Sequence, residues 1–242
     1  RDRAYTLYAM STADSARDWA AGQGVLVAVE ITTGSEPTAA VIWLHGLGAD
    51  GHDFEPLVPW LDWPGAPSIR YVFPHAPVRP VTINGGMQMR AWYDILAFDI
   101  DRDQDEQGIG DSIAQANALV AREQERGTDA SRILLAGFSQ GGAIAMQCAL
   151  RYPDKLAGLV ALSTYMLQEQ RLEAELSEAN RGMSVFYGHG DSDPIVPVRL
   201  GQQAAAKLEQ LGYPVEWRTY PMQHSVCPEE LQHLAAWMQK RF

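Results

Sequence analysis

The sequence predicts an α/β fold, a mostly parallel central sheet with helices on both faces. Two observations carry this. Strand-length runs recur that are apolar almost throughout, as strands buried on both faces require. Helical patterns alternate with them, the signature of a layered sheet-and-helix domain. With 242 residues, 46% of them hydrophobic, the chain can bury one sizeable core.

Residues 1–24 mix small, polar and charged types and close on a Gly22-Gln23-Gly24 break, reading as a short helix or an appended arm. No internal repeat, linker or low-complexity tract interrupts residues 25–242, so one domain is expected there. Its strands are expected at 25–32, 39–44, 69–73, 132–137, 156–162, 183–187 and 215–220. Ile109, Ile113, Ala116 and Val120 recur with helical spacing; so do Ala204, Leu208 and Leu211, and a last stripe runs through Leu231, Leu234, Ala235, Met238 and Phe242. Core packing explains all three stripes. Segment 74–107 carries several prolines and a Gly85-Gly86 pair and reads as a loop with a short strand at 91–95. Loops this long in a compact domain are commonly functional.

The formal net charge is −11, which should repel nucleic acid and anionic membranes, and solubility is its plain explanation. Two cysteines, Cys148 and Cys227, imply no disulfide framework and no C-x-x-C site. Reduced thiols in a cytoplasmic protein are expected, although Cys227 lies near His224 and a reactive thiol fits there too. No apolar stretch approaches a membrane span, and the residues after Arg1-Asp2-Arg3 lack a secretory apolar core.

The strongest chemical signal is Gly137-Phe138-Ser139-Gln140-Gly141, a G-x-S-x-G between a strand and the helical stretch 142–151. Strand, sharp turn and helix together mark a nucleophile elbow. The turn holds the Ser139 hydroxyl out at the carboxyl edge of the sheet, and neighbouring chain passes so close that only small residues fit two places before and after. A serine needs a base to take its proton, and the partners of an elbow serine follow in the order acid, then histidine. His189, His224 and His233 come after Ser139. His224 lies in Tyr220-Pro221-Met222-Gln223-His224, between the last strand and the last helix, where a base can reach the elbow. His233 falls off the apolar stripe, and His189 precedes the best acids. Asp191 and Asp193, after the 183–187 strand, both qualify as the acid by location.

Gly46-Leu47-Gly48-Ala49-Asp50-Gly51 is a G-x-G-x-x-G after a strand, the context of a dinucleotide loop. Such a site also needs an acid after the second strand. Here the second strand, 69–73, is followed by Pro74-His75, so no cofactor is expected. The turn begins His-Gly, as oxyanion loops of serine hydrolases do. The backbone N–H groups of Leu47 and Gln140 are therefore expected to hold a transient oxyanion. No metal site is expected either. His189, Asp191 and Asp193 fit no standard pattern, and the run Asp99, Asp101, Asp103, Asp105 lacks the glycine and the final glutamate of a calcium loop.

The motifs LHGLGADGHDF, FPHAPVRPVTINGGMQMRAWYDI, GFSQGGAIAM, GHGDSDPIVP and YPMQHSV together resemble the acyl-protein thioesterase and carboxylesterase family of small α/β-hydrolases, from about Ala39 to the C-terminus. Residues 1–24 have no counterpart in the resemblance. It implies the α/β-hydrolase fold with a short lid, and assigns the acid to Asp193. It implies a fairly open, cofactor-free site with an acyl groove flanked by the 74–93 loop, including Trp92, and by Ile195 and Val196. It further implies a serine hydrolase of short to medium acyl esters, extending to thioesters, with MRAWYDI most like the bacterial esterases. The alternatives are a long-chain acyl-protein thioesterase or lysophospholipase, then a serine peptidase or a non-catalytic binding module. The expected partner is a small ester or acylated substrate, with a homodimer compatible.

Overall fold

Successive strand residues point to opposite faces of a sheet. In the strand Ala39–Leu44 both faces are apolar, and every residue is buried. Ala40, Ile42 and Leu44 enter one core, while Ala39, Val41 and Trp43 enter another. That strand therefore lies mid-sheet between two helical layers.

The computed structural model describes residues 6–8, 25–97 and 104–242. Its elements are β1 (Thr6–Tyr8), β2 (Ala28–Thr32), β3 (Ala39–Leu44), β4 (Ile69–Pro74), β5 (Val78–Val81), β6 (Met87–Arg90), α1 (Glu106–Glu125), β7 (Ile133–Phe138), α2 (Gln140–Arg151), β8 (Gly158–Leu162), α3 (Glu169–Glu175), β9 (Val185–Gly190), α4 (Val198–Gln210), β10 (Val215–Tyr220) and α5 (Pro228–Met238). The main sheet runs β1-β2-β4-β3-β7-β8-β9-β10. Pairing is parallel from β4 through β10, and antiparallel at β1–β2 and β2–β4. Helices α1, α2 and α4 supply one core; α5 and a 3-10 segment at Glu55–Leu61 supply the other. Residues Gln140 to Leu150 of α2 are all buried, because the helix lies between the sheet and α1. Among the described residues no helix is long and apolar enough to cross a membrane.

Most expected strands form within a few residues of their predicted bounds, with differences that have local causes. The 183–187 run becomes Val185–Gly190, extended because β10 pairs with it through Tyr220↔Gly190. The strand expected at 91–95 does not form. The hairpin β5–β6 precedes it, closed by Gly85 and Gly86 at φ 67° and 78°. Beyond Arg90, the backbone of Trp92 and Tyr93 bonds to a side chain instead of a sheet neighbour. Only an isolated bridge, Ile95 to Gln104, remains there. Of the expected 1–24 arm, only the backbone of β1 is among the described residues; Asp99, Asp101 and Asp103 lie outside them. Asp105 caps α1, accepting from the Gly108 N–H.

Candidate active site

The carboxyl ends of the parallel strands are where an open α/β sheet binds ligands. Four loops converge there: 45–48 after β3, Ser139 after β7, 191–197 after β9 and 221–227 after β10.

Ser139 has φ 53° and ψ −122°, a strained conformation for a residue with a Cβ. The surroundings hold it there. Its N–H donates to Leu162 O at 2.9 Å, and its carbonyl accepts from Thr164 Oγ1 at 2.6 Å and from Ala143 N at 3.1 Å. The flanking glycines are steric necessities. A Cβ on Gly137 would sit 2.4 Å from Gly141 O, and one on Gly141 would sit 2.3 Å from Leu44 O. Ser139 occupies the N-cap position of α2 yet makes no side-chain cap, so its hydroxyl is not spent on the helix.

Asp193 and His224 form a pair. His224 Nδ1 lies 2.6 Å from Asp193 Oδ2, and the aspartate side chain is fully buried. The N–H groups of Ile195 and Val196 donate to Asp193 Oδ1 at 2.8 and 2.9 Å. A carboxylate so bonded puts the ring proton on Nδ1 and leaves Nε2 free to accept another. Asp191 is exposed and bonds to Ser192, so of the two aspartates the structure brings only Asp193 to the histidine. The His224 ring rests on the Phe138 ring, centroids 4.6 Å apart, which sets it beside the nucleophile turn. Among the described residues no hydrogen bond joins Ser139 to the His224 ring. Contacts of this kind are commonly looser without substrate.

The remaining histidines have other duties. His233 contacts Tyr220 Oη at 3.1 Å. His189 is fully buried and its Nε2–H donates to Val196 O at 2.8 Å, bracing the turn that presents Asp193. Burial holds its pKa below the ordinary value, so it braces as a neutral ring. Among the described residues, no group of three or more His, Cys, Asp or Glu side chains is arranged to hold a metal ion.

Gln140 directly follows the serine in sequence, and Leu47 lies on the turn whose Gly46 faces it. Gly46, beside Leu47, packs against Phe138 and Ser139. Gly48, at φ 76°, donates to Arg90 O at 2.8 Å. Among the described residues neither the Leu47 nor the Gln140 N–H has a protein acceptor. The sequence reading missed His45, which fixes this turn. Its Nδ1–H donates to Gly46 O at 2.7 Å, and its Nε2 accepts from Ala76 N at 3.0 Å. Burial pushes its pKa down to about 4, which keeps the ring neutral and both bonds intact near neutral pH. The His-Gly pair was the only sequence signal for it.

The expected groove residues separate. Ile195 is 67% exposed at the rim, whereas Val196 is buried. Trp92 corrects the expectation. Its ring is fully buried and its Nε1–H donates to His45 O at 2.8 Å, so it belongs to the framework and offers no face to a substrate.

Residues 27–242 match the phospholipase/carboxylesterase family. The chain belongs to that family. Acyl-protein thioesterase 1 of Neurospora crassa is 41% identical over 214 residues, covering 84% of this chain and 87% of that protein. Acyl-protein thioesterase 1 of Cryptococcus neoformans is 39% identical over 218 residues, covering 83% and 91%. Among solved structures, Arabidopsis thaliana SOBER1 superimposes with a TM-score of 0.78 at 28% identity, over 84% of this chain and 98% of that one. Zea mays acyl-protein thioesterase 2 gives 0.75 at 26% identity, over 86% and 95%. As a member of the phospholipase/carboxylesterase family, the chain is a hydrolase with the α/β-hydrolase fold.

Proposed function

We propose that this protein is a cofactor-free cytoplasmic serine hydrolase that cleaves carboxylic esters and acyl thioesters of short to medium chain length through an acyl-enzyme on Ser139. One observation carries the reading: a half-buried His224, paired with buried Asp193 and with its Nε2 free, rests against a strained serine turn flanked by two N–H groups that are unpaired among the described residues. In the cycle, His224 Nε2 takes the Ser139 proton as Oγ attacks the substrate carbonyl. Asp193 fixes the ring and stabilises the imidazolium. The Leu47 and Gln140 N–H groups stabilise the oxyanion. His224 then protonates the leaving alcohol or thiol, and the C–O or C–S bond breaks. Water, deprotonated by His224, attacks the acyl-enzyme, and the proton returns to Ser139 as the acid departs.

A second reading, long-chain acyl thioesters as substrates, is favoured by the 39–41% identity to proteins named acyl-protein thioesterase 1. One experiment tests both. A fluorophosphonate should label Ser139, and Ser139→Ala should lower kcat by about 10⁶. A series of p-nitrophenyl esters from C2 to C16, run beside S-acyl peptides, separates the two chain-length readings by kcat/KM. Full esterase activity in Ser139→Ala would refute the mechanism.

A further inference from the structure

The two oxyanion donors proposed above sit on loops 93 residues apart in sequence (140 − 47), yet must point at one atom. Each donor's setting leads back to one stretch of chain, residues 90–93. On the first loop, Gly48 N–H donates to Arg90 O, and His45 O accepts from Trp92 Nε1–H, so the turn is held on both sides of Leu47. On the second, the Gln140 side-chain amide is held at both atoms. Its Oε1 accepts from Trp92 N–H and its Nε2 donates to Tyr93 O, each at 2.8 Å. The strap is itself anchored, with the Ser112 hydroxyl donating to Trp92 O and Tyr93 Oη paired with Tyr165 Oη. Trp92 is fully buried, and its ring lies 5.3 Å from that of His45. The bonds made by Trp92, Tyr93, Gln140 and Ser112 are neutral and buried, so they keep their geometry when charge appears beside them.

We propose that Trp92 is a positioning residue for the oxyanion hole, tying the Leu47 turn to the Gln140 turn through its indole N–H and its backbone N–H. The inference rests on the proposed serine mechanism. Trp92→Phe keeps most of the ring but removes the donor to His45 O. The turn can then relax, and the Leu47 N–H loses its aim without being deleted.

The test compares a p-nitrophenyl oxoester with the thionoester of the same acyl group. A thiono sulfur is larger and a weaker acceptor than oxygen, so N–H donors aimed at an oxyanion stabilise its transition state less. A misaligned hole therefore harms the oxoester selectively. Trp92→Phe should lower kcat on the oxoester by about tenfold to a hundredfold, below the roughly 10²–10³ lost with a whole donor. KM should change little, and the oxoester-to-thionoester ratio of kcat/KM should fall about tenfold. Simple loss of folded enzyme lowers both rates equally and leaves the ratio alone. Gln140→Met tests the strap from its other end should Trp92→Phe fail to fold, and should lower the same ratio. An unchanged ratio in a folded variant overturns the inference. Fluorophosphonate labelling of Ser139 in the same samples distinguishes that outcome from failure of the underlying mechanism, in which the wild-type serine would go unlabelled.

Discussion

Helices α2 and α5 both begin just beyond a loop that serves the site, and they treat their N-termini in opposite ways. Neither has a side-chain cap. The first turn of α2, Gln140-Gly141-Gly142, holds no acid and is buried. The first turn of α5 follows the His224 loop and carries Glu229 and Glu230. A helix N-terminus presents unpaired N–H groups and partial positive charge, which favours an anion. Helix α5 carries two acids of its own there, one exposed and one buried. Helix α2 holds no acid there, and among the described residues the Gln140 N–H has no protein acceptor, as the proposed oxyanion role requires.

The self-supplied acid has a cost. Glu230 is fully buried, and among the described residues neither carboxyl oxygen has a hydrogen bond of normal geometry. Burial pushes its pKa up to about 8, and the nearby Cys227 backbone offsets only part of that. Its carboxyl lies against Gly188 of β9, where an added Cβ would force the Glu230 side chain to move. The polar groups around Trp92 and Gln140, in contrast, find partners. The side chains of Trp92 and Gln140 are hydrogen-bonded, whereas among the described residues the buried acid at the base of α5 is not.

The largest expected effect concerns the loops feeding the histidine side. Asp193→Asn should lower kcat by up to about 10⁴ on a p-nitrophenyl ester, because the amide favours the wrong His224 tautomer. Asp191→Asn, at an exposed position, should stay within about twofold. The reverse pattern would reassign the acid.

Next, placing an acid at the N-terminus of α2 should make it resemble α5. Gln140→Glu adds a carboxylate beside the oxyanion donors and removes the bond to Tyr93 O. We expect kcat to fall by about 10²–10³, the scale of one lost donor. Undiminished kcat would mean that the open N-terminus has no role in the reaction.

Glu230 gives the third outcome, with its sign fixed by linkage. A carboxyl whose pKa is higher folded than unfolded binds more protons in the native state. Stability therefore falls as pH rises from about 4.5 toward 8 and stays low above that. At roughly 1.4 kcal/mol per pKa unit the loss is on the order of 5 kcal/mol. Urea midpoints from pH 5 to 9 should show this decline in the wild type and its removal in Glu230→Gln. Parallel profiles for the two proteins would show that the buried acid ionises no differently when folded.

Much of this was legible along the chain because the signals are local. Ile133 to Ala136 read as a buried strand by composition alone, and Gly137 and Gly141 read as necessary because a nucleophile turn admits no Cβ there. The 91–95 segment misled for a related reason. Its apolar residues are buried as a strand's would be, but their backbone bonds to the Gln140 side chain, a partner about 48 positions away that no local pattern specifies. The resemblance placed Trp92 at the groove, and only the tertiary structure distinguishes a loop aromatic that faces substrate from one that braces a turn.

The sequence by itself determined the layered sheet, the serine turn and the histidine loop, because strand-length apolar runs, helix spacing and glycine sterics act over a few residues. Tertiary structure alone decided that His45 and His189 are braces, that Glu230 is stranded in the interior, and that Trp92 bonds to both the His45 turn and the Gln140 side chain. Those properties depend on which distant atoms share a dry interior. There a hydrogen bond or its lack sets charge and geometry, and residue order does not encode that directly.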